Sequence, residues 1–204
     1  MNAIVLRNLG YSVRVLERRD DAALQSEAAG IRAGPEVHTF IETYIKDYPE
    51  YAIRMPGIDI VDEKGDVVTQ LPVTEPMRMT TWKILYDLFL GALMDTRDSK
   101  PAATYENHTS VEDISYDGSK VSVTYRSTEN ATTSTVFADV LIAADGANST
   151  VRKKVLGNIS PQYSGYVTWR GRLREAALTA RTRDALRNRC MVHRARGGYG
   201  YFIS

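Results

Sequence analysis

The chain has 204 residues, 43% of them hydrophobic, with 26 Lys and Arg against 25 Asp and Glu for a net charge of +1. That length buries a real core as one domain, or as one domain plus part of another, and the even charge balance argues against a nucleic-acid binder that works by phosphate neutralisation. A single cysteine, Cys190, excludes an intrachain disulfide framework and fits a reducing, cytoplasmic setting.

No apolar run approaches the roughly 20 residues of a membrane span, and the segment after Met1 is too short for a secretory signal. The N-x-T sequons at Asn107, Asn130 and Asn148 carry no meaning without a secretory route. His38, His108 and His193 are scattered, with no second ligand at metal spacing, so no metal site is expected.

In chain order, "NAIVLRNLG" reads as the last turns of a helix closed by a left-handed Gly10. "YSVRVLER" follows as a short strand, with Val13, Val15 and Leu16 expected to be buried and Glu17 at its exit. A helix feeding a buried strand through one tight turn is the second half of a β-α-β unit, whose first strand would precede Met1. "RRDDAALQSEAAG" is a loop or weak helix. Pro35 then opens a helix with Val37, Phe40, Ile41, Tyr44 and Ile45 on one stripe, which reads as core.

A hairpin is expected from about Tyr51 to Leu71, turning at Glu63 to Asp66 around Gly65 and interrupted by Pro56. "MTTWKILYDLFLGALM" gives a second firm helix through Trp82, Leu85, Leu88 and Phe89, capped by Thr80 or Thr81. The Thr-, Val- and Tyr-rich middle predicts a strand near Ala103 to His108, then a three-stranded antiparallel insertion made of "SVEDISYD", "KVSVTYRS" and "TSTVFA". It returns to "ADVLIAAD", whose unbroken run Val140 to Ala144 predicts a parallel strand covered on both faces. Asp145 would then stand at the carboxyl end of a sheet strand, where open α/β sheets bind ligands. Beyond it, Ser149 is placed to cap the helix "TVRKKVL". "YSGYVTWRG", Tyr163 to Gly171, reads as a strand, "RLREAALTARTRDALRNR" as a basic helix, and "YGYFIS" as the beginning of a strand.

The order of "NLGYSVRVLERR", "GIRAGPEV", "MTTWKILYDLF", "ADVLIAADGANSTVRKKVLG" and "YSGYVTWRG" resembles the FAD-dependent aromatic hydroxylases, in particular the monooxygenases of hydroxypyridines and related phenols. The pattern Asp-Gly-x-x-Ser-x-x-Arg is met in full by Asp145, Gly146, Ser149 and Arg152. The resemblance covers roughly Ala3 to Gly171. It implies an α/β fold: an incomplete three-layer, Rossmann-like FAD-binding domain at residues 1–157, a parallel sheet carrying the antiparallel insertion, and the start of a mixed α+β substrate domain at 158–204. The family's opening strand with its G-x-G-x-x-G turn, and its later Gly-Asp motif, have no counterpart here, so the resemblance implies a fragment of a roughly twice longer fold.

By the same resemblance, Glu17 is the acceptor for the adenosine ribose hydroxyls, since a carboxylate at a strand tip offers two oxygens to a diol. Arg18 lies by the adenine and Arg32 near the flavin pyrophosphate, while Lys83, beside Trp82, lies by the pyrophosphate or ribityl chain. "ERRDD" also reads as a solvated turn and Trp82 equally as core. Asp145 would accept from ribose or ribityl hydroxyls, or organise waters and backbone amides. Gly146 would allow close backbone approach or an unusual dihedral, and Arg152 would pair with Asp145 or approach a phosphate.

The implied activity is hydroxylation of a small aromatic substrate by dioxygen, with NAD(P)H reducing FAD; no side chain stands out as a catalytic base. The other reading is a non-catalytic relative or incomplete gene product that binds FAD weakly or not at all. The ring attacked, NADH against NADPH, the oligomeric state, and another use of the same FAD fold are left open.

Overall fold

The computed structural model describes residues 1–20, 30–97, 100–157, 159, 161–165, 167, 173–186, 190–195 and 198–203. It is a mixed α/β structure with parallel and antiparallel sheets, in two compact units. One comprises Leu6–Ser26 and Thr96–Trp169, the other Met1–Val5, Glu27–Asp95 and Arg170–Ser204.

Helix α1 (Asn2–Asn8) ends as its sequence predicts. The N–H of Tyr11 donates to the carbonyl of Leu6 at 3.0 Å and that of Gly10 to Arg7 at 3.1 Å, with Gly10 at φ 92°. This doubly bonded glycine terminus satisfies carbonyls that the helix leaves open.

In the unit of Leu6–Ser26 and Thr96–Trp169, strand β1 (Val13–Leu16) runs parallel to β5 (Ala103–Glu106), in register from Val13 opposite Ala103 to Leu16 opposite Glu106. These two strands form a sheet of their own among the described residues. Val13, Val15 and Leu16 are accordingly half-buried, not buried as their apolar character suggests. Arg7 of α1 is buried and its Nε donates to the carbonyl of Pro101 at 3.0 Å, just before β5.

The antiparallel insertion forms as expected: β6 (Thr109–Tyr116), β7 (Val121–Ser127) and β8 (Thr133–Ala138) pair in that order. Helix α4 (Thr150–Leu156) packs on β6, and Lys154 Nζ meets Asp113 Oδ1 at 2.7 Å.

The stretch after β8 differs from expectation. Residues 140–146 adopt no regular secondary structure and pair with no described strand. Val140 is 70% exposed and Ile142 44%. An apolar run becomes a covered strand only when strands flank it and helices face it, and the described residues supply neither.

The other unit is built on a five-stranded sheet in the order β10 (Gly198–Ile203), β9 (Cys190–Ala195), β3 (Ile53–Val61), β4 (Val67–Thr81), β2 (Gly30–Ala33). Strands β3 (Ile53–Val61) and β4 (Val67–Thr81) form the expected hairpin, closed by Gly65 at φ 85° and by Asp62, whose Oδ1 accepts from the amides of Lys64 and Asp66. The register shifts between Met55 and Gly57, around Pro56. Gly57 is required there, because a Cβ would lie 2.8 Å from the carbonyl oxygen of Leu71. Strand β4 runs on well past Leu71, since β2 (Gly30–Ala33) pairs antiparallel with its end, Gly30 opposite Thr81 and Ala33 opposite Arg78.

Helix α2 (Pro35–Tyr44) starts at Pro35, and α3 (Trp82–Leu93) is capped by Thr81, whose Oγ1 accepts from the amide of Ile84 at 3.2 Å. Ala33, Ile41, Ile45, Tyr51 and Leu85 form one core, with Val37, Leu88 and Phe89 against it. Met55, Met77, Met79 and Cys190 form a second.

Strand β9 (Cys190–Ala195) lies parallel to β3, and β10 (Gly198–Ile203) antiparallel to β9. The expected basic helix is a 3-10 turn, Glu175–Ala177, followed by α5 (Ala180–Leu186). Leu178 is extended, and Thr179 restarts the helix by accepting the amide of Thr182 at 3.2 Å. Of the strand expected over Tyr163 to Gly171, positions 163–165 and 167 are not strand. Its remaining positions, and residues 21–29 of the loop or weak helix, lie outside the described residues.

Candidate functional site

Glu17 stands at the carboxyl end of β1, where the parallel ladder hands over to the next strand. Its N–H donates to the carbonyl of Glu106 at 2.8 Å, and its own carbonyl accepts from Thr109 at 2.8 Å. The chain therefore fixes the backbone on both sides of this residue. The side chain is half-buried, and Oε1 accepts the amide of Arg19 at 2.8 Å. A carboxylate has about four acceptor positions, so one amide leaves capacity for a diol. Arg18, the next residue, is exposed.

Asp145, Gly146, Ser149 and Arg152 come together in one structure, the amino end of α4. Oδ2 of Asp145 accepts the amides of Thr150 at 2.7 Å and Val151 at 3.2 Å, and Ser149 Oγ accepts the amide of Arg152 at 2.9 Å. Three amide donors that the helix cannot satisfy itself are thus taken by two side chains. Gly146 is at φ 76°, which L side chains rarely adopt, so the turn itself calls for glycine.

Arg152 does not pair with Asp145. Its guanidinium donates to the carbonyls of Gly146, at 3.2 Å, and Ala147. The carbonyl of Gly146 also accepts the amide of Ser149 at 3.2 Å, and Asp145 is already occupied by the amides of Thr150 and Val151. Loss of water around Asp145 opposes its charge, but the Ser149 hydroxyl and the amides of Val151, Asp145 and Thr150 outweigh it and hold the carboxyl below the usual carboxylate range.

Arg32 and Lys83 belong to the other unit. Arg32 is exposed on β2, opposite Met79 of β4. Lys83 lies in the first turn of α3 and is ion-paired with Asp87, one turn on. Trp82 is half-buried and stacks on Tyr86, with ring centroids 4.8 Å apart and planes at 17°.

The same unit holds a group that the sequence reading passed over. A cavity of about 350 Å³ is lined by Pro35, His38, Thr39, Arg54, Glu75 and Arg78. A neighbouring one of about 200 Å³ shares His38, Arg54 and Arg78 and adds Tyr48, Glu50, Tyr51 and Ala52. Nδ1 of His38 lies 2.8 Å from the hydroxyl of Tyr51, which is only 5% exposed. Burial raises the Tyr51 pKa, while the guanidiniums of Arg78 and Arg54 pull the other way. No spacing in the sequence announces this group, because the register of β3 against β4 is what brings Arg54 and Arg78 together.

Comparison with known proteins places the geometry in a family. The model of the FAD-binding domain matches residues 1–171. The chain belongs to this FAD-binding domain family. It is 31% identical over 171 residues to the 2,6-dihydroxypyridine 3-monooxygenase of Paenarthrobacter nicotinovorans, an alignment that covers 83% of this chain and 39% of that protein. The FAD-binding domain also resembles, in fold, the crystal structures of p-nitrophenol 4-monooxygenase PnpA from Pseudomonas putida DLL-E4 and of the flavin-dependent monooxygenase PieE in complex with FAD and substrate. For PnpA the TM-score is 0.62 at 20% identity, over 75% of this chain and 39% of that one. For PieE it is 0.61 at 13% identity, over 74% and 29%. The chain thus spans well under half the length of these relatives. No helix among the described residues is long and apolar enough to cross a membrane.

Proposed function

We propose that the chain contributes part of the FAD site of a monooxygenase that hydroxylates a small aromatic substrate with NAD(P)H and dioxygen. The single observation that carries this reading is Glu17. It is a carboxylate fixed at the carboxyl end of a parallel strand, where α/β folds present an acidic residue to a ribose diol. The names of the aligned relatives supply the reaction class.

The residues fit the cofactor unevenly. Glu17 has acceptor capacity to spare, and exposed Arg18 and Arg32 are open to an adenine or a phosphate. Asp145, Gly146, Ser149 and Arg152 shape the turn before α4, so their contribution is to hold its backbone in place. Lys83 would have to leave Asp87 to reach a ligand. Bound FAD would supply the redox chemistry, and the chain's own residues bind and orient it. On this reading residues 1–157 are the FAD-binding part and residues 158–204 begin the part that takes the substrate.

A second reading, weak or no FAD binding by this chain alone, is favoured by one observation: the uncovered apolar run at Val140 and Ile142. One experiment separates the two. The purified chain is mixed with FAD, dialysed, and its visible spectrum recorded beside a titration. A yellow, stoichiometric protein whose affinity falls about tenfold in E17Q, the loss of one charge-assisted hydrogen bond, supports the first reading. Colourless protein supports the second.

A further inference from the structure

Arg14 and Glu106 lie diagonally across the parallel pair β1–β5, where Arg14 stands opposite Thr104 and Glu106 opposite Leu16. Side chains two positions apart on a strand share a face, so the guanidinium of Arg14 can reach along that face to Glu106. Its Nε donates to Glu106 Oε1 at 2.6 Å and its Nη2 to Oε2 at 2.8 Å. The same Nη2 donates to the hydroxyl of Tyr125 on β7, and the guanidinium carbon lies 5.1 Å from the centroid of that ring. All three residues belong to the unit of Leu6–Ser26 and Thr96–Trp169. A lone surface ion pair contributes little, but a bidentate arginine–carboxylate pair joined to a third group fixes a geometry.

Glu106 is also the residue whose carbonyl takes the Glu17 amide. It therefore grips the β1 segment twice, at Arg14 through its side chain and at Glu17 through its backbone. The ladder itself is short, four residues on each strand, and these two strands have no third partner among the described residues. We propose that Arg14, acting through Glu106, is a positioning residue that holds the Glu17 carboxylate where a ribose diol can meet it, with Tyr125 tying the grip to the antiparallel insertion. That role rests on the reading of Glu17 as a ribose acceptor given above. Loss of the grip frees the tip of β1 and weakens ribose binding without removing any group that touches the ligand.

The test combines amide exchange and FAD titration of the whole chain. In R14Q, exchange at the Glu17 and Thr109 amides should quicken about fivefold, while the Arg152 amide, in the same unit but off these strands, exchanges as before. FAD affinity should fall about fivefold in R14Q and equally in E106Q. The double variant R14Q/E17Q should bind no more weakly than E17Q, because nothing is left to position, whereas a loss acting through stability alone would weaken both backgrounds alike. R14K should recover part of the affinity, since an ammonium lacks the fork that meets both carboxylate oxygens. If R14Q fails to fold, R14K carries both measurements.

Unchanged exchange at Glu17 in R14Q, equal losses in the parent and E17Q backgrounds, or FAD binding that needs Glu17 but not Arg14 would each overturn the positioning role and leave the flavin reading standing. A chain that binds no FAD, yet whose Glu17 amide is freed by R14Q, would reject the flavin reading and uphold the grip of Arg14 and Glu106 on Glu17.

Discussion

Ser149 and Arg152 close one turn between them: the serine hydroxyl accepts the arginine amide at 2.9 Å, and the arginine side chain returns to the carbonyls of Gly146 and Ala147 just before the serine. The residues of the Asp-Gly-x-x-Ser-x-x-Arg pattern thus hold the turn before α4 through hydrogen bonds within it.

Removing that cap should be visible in stability. S149A is expected to cost about 1 kcal/mol, the usual loss for a serine cap replaced by alanine, measured by urea denaturation. Amide exchange at Arg152 should speed up with it. An unchanged exchange rate would mean that the Ser149 hydroxyl does not hold that amide.

Acid sensitivity should report on the β6–β7 turn. The carboxylate of Asp117 accepts from the amide of Lys120 and from the amide and hydroxyl of Ser119, which lowers its pKa to about 2. Because the folded value lies below the unfolded one of about 3.9, the contribution is complete above about pH 4 and is lost as the pH falls toward 2. The denaturation midpoints of the parent and D117N should therefore run in parallel above that range and converge below it. Asp145, also lowered, adds to the acid limb in both proteins. Curves parallel down to pH 2 would contradict the role of Asp117.

Core and surface substitutions should separate the covered apolar residues from the uncovered ones. Ile41 is fully buried in the core shared by α2 and α3, so I41V should cost about 1 kcal/mol and I41A about 2–5 kcal/mol. V140S, at a position 70% exposed, should stay within about 0.5 kcal/mol. A loss at Val140 comparable to I41A would show that this run is covered in solution.

Local chemistry made much of this legible in advance. Gly10, Pro35, Gly65, Thr81 and Ser149 mark where elements stop and start. Each acts through its own dihedral or through a hydrogen bond a few residues away, which a sequence displays directly. The β6–β7–β8 insertion was legible for the same reason: its strands alternate and its turns are short. The length of β4 was not, because β2 pairs with its far end from a distant part of the chain. Nor was the exposure of Val140 and Ile142, since an apolar run states a preference for cover and cannot say whether cover is present.

By itself the sequence determined the helices that start at Pro35 and Trp82, the cap at Ser149, the antiparallel insertion, and the motif order that placed the chain among FAD-binding domains, all of which depend on neighbours along the chain or on the identity of single residues. Tertiary structure alone decided that Asp145 and Arg152 serve the turn before α4 rather than each other, and that Arg54 meets Arg78. Those outcomes depend on competition between partners and on strand register, which come into existence only when the backbone has closed.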